Sequence, residues 1–181
     1  MVPGGLSLPV DWRDGSVFRI LAIVVLLGGS LAGCGSIGLA TPGPPTDTQQ
    51  KADIYDIEQI EANWHKASST KDLDLMMSLW ADNATFQVGT QTYTGKDQIR
   101  NFFATQASPF KPENQWISET PAYKMTATVN GDKGTLYFEC HYVDVPTKTV
   151  KSVVAANQDV ARINGKWVIT SSIAASPTLT P

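Results

Sequence analysis

Cysteine is nearly absent from this 181-residue chain, which has two, Cys34 and Cys140. Cys34 belongs to the N-terminal signal described below, so no intramolecular disulfide is available. Cys140 then reads as a small buried residue in a strand rather than as a nucleophile or ligand. Histidine is equally scarce. His65 and His141 fall on different elements, and no Asp/Glu/His/Cys grouping has metal spacing, so neither a metal site nor a resident cofactor is expected. The 14 basic residues are scattered and are outnumbered by 17 acidic ones, for a formal net charge of −3. No Lys/Arg cluster alternates with aromatics, which argues against a nucleic-acid partner. The longest apolar run is too short for a transmembrane helix, which needs roughly 20 residues.

The N-terminus does carry a compact set of signals. Arg13 and Arg19 precede the apolar run Ile20 to Leu27, Gly28-Gly29-Ser30 interrupts it, and Leu31-Ala32-Gly33-Cys34 follows. This is the basic region, short apolar region and small-residue cleavage site of a secretory signal. A cysteine directly after the Ala-Gly pair sets a bacterial lipoprotein signal apart from an ordinary one, because its thiol takes a diacylglyceryl group before cleavage. The expectation is a signal peptide over 1–33 and lipidation at Cys34. The mature chain would then be held on a membrane of the bacterial envelope, outside the cytoplasm, by acyl chains worth about 0.8 kcal/mol per buried methylene. Asp11 and Asp14 are unusual in such a region and leave the start codon open. Thr41 to Gln50 is rich in Pro, Gly and polar residues, so 34–52 reads as a tether. Residues 53–174 suit one compact domain, followed by a tail over 175–181.

Within the domain, Ile57, Ile60, Trp64 and Ala67 recur on one helical face and predict a helix near 53–69. Leu73, Met76, Met77 and Trp80 repeat that spacing after Asp72, a candidate cap. Thr85, Phe86 and Val88 form a short strand, Gly89 breaks it, and Thr92 to Thr94 form another. Thr94 to Asp97 resembles a capping box leading into a third helix with Ile99, Phe102 and Phe103 on one face. From Trp116 the period changes to two. Met125, Ala127 and Val129 alternate with polar residues, and Asn130-Gly131 supplies a hairpin turn. Leu136, Phe138, Cys140 and Tyr142 then share one face of a strand and Tyr137, Glu139, His141 and Val143 the other. A turn at Val145-Pro146-Thr147 leads to a strand over 150–162, and Asn164-Gly165-Lys166 turns the chain into Trp167 to Thr170. Helices followed by a curved antiparallel sheet make an α+β fold.

Trp64, Asp72-Leu73-Asp74, Leu79 to Phe86, Tyr93 to Lys96, Ile99 to Phe103 and Gly165 to Ile169, in that order, resemble the nuclear transport factor 2-like superfamily in its SnoaL-like branch. The resemblance runs from about Ile54 to Ile173. It implies a cone-shaped curved antiparallel sheet with about three N-terminal helices packed in its concave face, a pocket at the open end, and frequent homodimerisation through the outer sheet face. It does not select an activity, because this fold carries isomerases, cyclases, dehydratases, binding domains and transport modules. Ketosteroid isomerases place an aspartate base after the first strand, where an ungapped alignment puts Val88, preceded by Gln87. Trp64 stands where those enzymes carry a tyrosine on the first helix, and its indole donates a hydrogen bond without being acidic. Neither substitution suits that chemistry.

The candidate catalytic residues are His141, Asp144 and Tyr142, with Glu139 a further partner for His141 on the same face of its strand. That face also carries Tyr137 and Val143, whereas the face of Leu136, Phe138 and Tyr142 is more apolar and suits a cavity wall. His141 therefore reads as an outer-sheet or dimer-surface residue. His65 points about 100° away from Trp64 around its helix and reads as a rim residue. Asp82 reads as a cap or turn, and Tyr123 and Asn157 are candidate polar groups of a pocket. Trp64, Trp80, Phe86, Phe102, Phe103, Trp116, Phe138, Tyr142 and Trp167 are the candidate pocket lining for a hydrophobic or aromatic ligand, several of them serving also as core. The favoured function is a membrane-anchored envelope lipoprotein whose domain binds a small apolar ligand or a protein partner without catalysis. The alternative is a small-molecule isomerase, dehydratase or cyclase.

Overall fold

The computed structural model describes residues 46–175, so Cys34, the signal-peptide reading over 1–33 and nearly all of the tail lie outside the described residues. Among the described residues no helix is long and apolar enough to cross a membrane. Helix α1 spans Asp47–Thr70. It starts where the Thr46 hydroxyl accepts a hydrogen bond from the Gln49 amide (3.2 Å), with Asp47 in the first turn paired to Lys51 at 2.7 Å. Residues 47–52, expected to belong to the tether, are instead helical from the cap at Thr46 onward. That local capping outweighs the polar composition of Asp47 to Lys51.

Helix α2, Leu73–Ser78, is capped by Asp72, whose carboxylate accepts from the Leu75 amide at 2.8 Å. It stops short of Trp80, which opens strand β1 (Trp80–Val88) and pairs with Ile169 instead of continuing the helical face. Strand β2, Gln91–Thr94, returns on β1 after Gly89 (φ 59°). Helix α3, Lys96–Thr105, has Gly95 at its N-cap and no capping side chain. The expected box is replaced by Gln98, whose side-chain oxygen accepts from the Thr94 amide at 3.0 Å. A single 3₁₀ turn, Ser108–Phe110, leads to β3 (Trp116–Ser118), β4 (Lys124–Asn130), β5 (Lys133–Asp144), β6 (Thr149–Ile163) and β7 (Lys166–Ala175). The β6–β7 turn is Asn164-Gly165, both at positive φ (51° and 78°), as a two-residue type I′ turn requires.

The strands form one sheet in the order β2-β1-β7-β6-β5-β3, with β4 also paired to β5. The fold class is the α+β arrangement expected, with one departure: β1 runs parallel to β7 and every other pair is antiparallel. The alternation on β5 follows the sequence pattern. Leu136, Phe138, Cys140 and Tyr142 are buried on the inner face with Ile57, Ile60, Trp64 and Ala67 of α1 in the same core cluster. Helix α1 lies close against the sheet at Gly134. A Cβ there would lie 2.9 Å from Ile57 Cδ1, 3.2 Å from Val160 Cγ2 and against the carbonyl oxygen of Thr128.

Candidate functional site

A cavity of about 700 Å³ lies among α1, α3, the Ser108–Phe110 turn and the inner face of the sheet. Its wall is mainly aromatic: Trp64 from α1, Phe86 from β1, Phe102 and Phe103 from α3, then Phe110 and Trp116. The helical period of α3 sets Phe103 parallel to Phe86 (5.5 Å between centroids, 13°) and Phe102 edge-on to it (5.2 Å, 72°). Trp64 meets Phe103 edge-on at 5.4 Å. Val88 and Val154 add to the apolar surface, and Gln106, Ser108 and Ser152 contribute polar groups to the lining.

Tyr142, on the inner face of β5, supplies a buried polar group. Its hydroxyl accepts from Trp64 Nε1 (3.3 Å) and donates to Ser68 Oγ (3.2 Å). Burial pushes the phenol well above its ordinary range, so it remains protonated at neutral pH. No carboxylate, imidazole or cation lines the cavity among the described residues.

Part of the rim is held by a residue that the sequence pattern did not single out. Lys71 occupies the C-cap of α1 at φ 59°, and its ammonium donates to the carbonyls of Pro109 (3.3 Å), Lys111 (2.9 Å) and Asn114. This three-carbonyl clamp fixes the segment that carries Pro109 and Phe110 into the wall. Phe110 and Ser68 were likewise not anticipated. Phe110 sits in a Pro-containing turn without periodicity, and Ser68 follows the apolar stripe of α1 by one residue.

Of the aromatic candidates, Trp64, Phe86, Phe102, Phe103, Trp116 and Tyr142 line the cavity. The reading is corrected for three others. Trp80 and Phe138 are fully buried core residues that do not reach the cavity, and Trp167 is buried under the Arg162 guanidinium, 4.9 Å from its ring. The catalytic candidates do not converge. His141 lies on the outer face, its Nδ1 2.8 Å from Glu119 Oε1 and its ring stacked on Tyr123 at 4.7 Å. Asp144 closes the β5–β6 turn by accepting from the Thr147 hydroxyl (2.6 Å) and amide (3.0 Å), which together hold its carboxyl below the ordinary value. Glu139 accepts from the hydroxyls of Tyr123 and Tyr137 and pairs with Lys124 at 2.9 Å. Those hydrogen bonds bring its carboxyl down to about 2 and push both phenols up to about 12.

His65 is not a rim residue. It is completely buried, with Nδ1 2.7 Å from Glu61 Oε1, and Glu61 also accepts from the Ala122 amide at 2.8 Å. The connection between β3 and β4 covers that flank of α1, so the helix is buried on two sides. Cys140 is fully buried and its thiol is pushed up to about 12 by desolvation, which leaves no thiolate at neutral pH. Asp82 is an exposed partner of Lys96 at 3.0 Å. Asn157 pairs across the sheet with Tyr137, so it and Tyr123 belong to the outer side rather than to the cavity. No group of His, Cys, Asp and Glu suited to a metal ion occurs among the described residues.

The mixed sheet with its three described helices has the nuclear transport factor 2-like, cystatin-like fold. Residues 49–173 match the SnoaL-like domain, and the chain belongs to that family. A protein of unknown function with a cystatin-like fold from Nostoc punctiforme is similar at a TM-score of 0.61 and 16% identity, over 77% of this chain and 98% of the other. A nuclear transport factor 2-like superfamily protein from Salmonella enterica is similar at 0.59 and 19%, over 72% and 95%. The hexachlorocyclohexane dehydrochlorinase of Novosphingobium barchaimii is similar at 0.59 and 17%, over 75% and 94%. At these identities the likeness concerns the fold alone. No curated protein matches the sequence.

Proposed function

We propose that this SnoaL-like domain binds a small apolar ligand without transforming it, and that lipidation of Cys34 holds it on the bacterial envelope. The observation that carries the first part is a cavity of about 700 Å³ with aromatic side chains in its wall and, among the described residues, no carboxylate, imidazole or cation upon it. That volume falls within the ~300–1,000 Å³ typical of small-molecule sites. The dehydrochlorinase with the same fold is named for a small apolar substrate, in keeping with such a ligand. The isomerase, dehydratase or cyclase alternative would need a proton-transfer group at the cavity; His141 and Asp144 lie elsewhere, and Tyr142, the candidate that does line it, is held protonated by burial. The anchor rests on Leu31-Ala32-Gly33-Cys34.

Native mass spectrometry of the mature protein, purified gently from its host, tests both parts. A reproducible small-molecule adduct and a diacylglyceryl-modified Cys34 are expected. Adduct-free protein that also takes up no apolar probe would sink the binding reading, and an unmodified Cys34 the anchor.

A second reading, association of two copies through the outer sheet face, is favoured by the exposure of Tyr123 and Ile173. Sedimentation that shows a monomer at every concentration would remove it.

A further inference from the structure

Trp64, Tyr142 and Ser68 form a chain of hydrogen bonds at the cavity that has one proton too many. The indole N–H goes to the Tyr142 oxygen, and one hydroxyl proton bridges Tyr142 and Ser68. The second hydroxyl proton has no acceptor among the described residues. Direction does not alter the count: if Ser68 donates to Tyr142, the phenol proton is the one left over. Both residues line the cavity and are almost completely buried, at 3% and 1% exposure. Phenol ionisation cannot remove the surplus at neutral pH, because burial keeps the hydroxyl protonated.

Ligand classes can be compared against this wall. A pure hydrocarbon displacing solvent from the cavity would leave the spare donor buried and unpaired, which is costly. A carboxylate would accept the proton but would bring a negative charge against a lining that holds no cation. An uncharged molecule with an acceptor oxygen satisfies both conditions. We infer that the cavity is built for a neutral, largely apolar ligand whose carbonyl or ether oxygen takes the spare proton of the Tyr142–Ser68 pair while its body lies against Phe86, Phe102 and Phe103. This inference rests on the proposal that the cavity binds a small molecule, and it adds the ligand's charge state and a polar contact at the Tyr142–Ser68 pair.

Calorimetry of the full chain with three probes of matched shape, 2-acetylnaphthalene, 2-ethylnaphthalene and 2-naphthoate, tests it. The ketone should bind about tenfold tighter than the hydrocarbon, the equivalent of one net hydrogen bond of ~1.4 kcal/mol, and the carboxylate should bind weakest. In the double variant Ser68→Ala, Tyr142→Phe the ketone-to-hydrocarbon ratio should fall below about threefold. Equal binding of ketone and hydrocarbon, or tighter binding of naphthoate, overturns the inference and leaves the cavity as a ligand site. A preference that survives the double variant overturns the assignment to Tyr142 and Ser68. Failure of all three probes, with adduct-free protein, overturns the underlying binding proposal instead. If the double variant does not fold, the infrared carbonyl stretch of the ketone bound to the unaltered protein decides. A shift to lower wavenumber than in hexane supports the hydrogen bond, and an unshifted band refutes it.

Discussion

Lys71 is the single residue on which the cavity rim most depends. Its ammonium satisfies three backbone carbonyls of the Pro109 to Asn114 segment, which is tied besides by Asn114 Nδ2 donating to the Ser108 carbonyl at 2.8 Å. Lys71→Met retains the length of the stem but removes the donors. It should cost about 2 kcal/mol in denaturant unfolding, the scale of hydrogen bonds made by a charged group. Amide exchange should accelerate in 108–114 while α1 stays protected, and affinity for any cavity ligand should fall with it. Unchanged exchange in that segment would show that Phe110 and Pro109 are held by packing alone. Nothing local in the sequence distinguishes Lys71 from a solvated lysine, because its partners lie about forty positions further along the chain. His65 was misread for the same reason: the strand connection that buries it begins beyond Ser118.

At the scale of elements, α1 and β5 meet at Gly134, and magnitudes decide what a side chain would do there. A strand glycine replaced by alanine ordinarily gains roughly 0.5–1 kcal/mol from reduced chain entropy. Here the added methyl would strike the Thr128 carbonyl as well as Ile57. Overpacking of this kind costs about 1–3 kcal/mol. Gly134→Ala should therefore destabilise by about 2 kcal/mol in an equilibrium melt, and a raised midpoint would show that α1 can slide off the strand. The inner face of β5 was legible, because Leu136, Phe138, Cys140 and Tyr142 alternate with polar residues and the sheet needs only that period. Trp80 was not legible. Leu73, Met76 and Met77 lead into it at helical spacing, but its pairing with Ile169 is a contact across half the chain that no local pattern carries. Part of the cavity lining came through with the helical and strand stripes, whereas Trp80, Phe138 and Trp167 show that an aromatic on an apolar face serves equally well as core.

For the molecule as a whole, a buried contribution to acid stability comes from Asp53, a carboxylate of α1 paired to Arg162 of β6 at 2.5 Å. Burial alone would raise its carboxyl, but hydrogen bonds from Arg162 and Gln49 and the charge of Arg162 outweigh burial and hold it below the ordinary 3.8. A folded-state value below the unfolded one makes the stabilisation complete above about pH 4 and progressively lost as pH falls through the depressed value. The thermal midpoint should drop on acidification below pH 4, and Asp53→Asn should flatten that part of the profile. Arg162→Ala should cost ~3 kcal/mol at neutral pH by stranding the carboxylate. An acid profile identical in Asp53→Asn and the unaltered protein would place the sensitive group elsewhere.

The position of β7 has a consequence in time. It is the last of the described strands in chain order, yet it lies between β1 and β6, and the parallel partner of β1 is missing until Lys166–Ala175 has emerged. Closure of such distant pairings is the slow part of folding. A chain still being synthesised has no complete sheet on which α1 can settle, so the folding of this domain waits on β7. For the exported lipoprotein proposed here, that order keeps the domain open and threadable until the final strand is available.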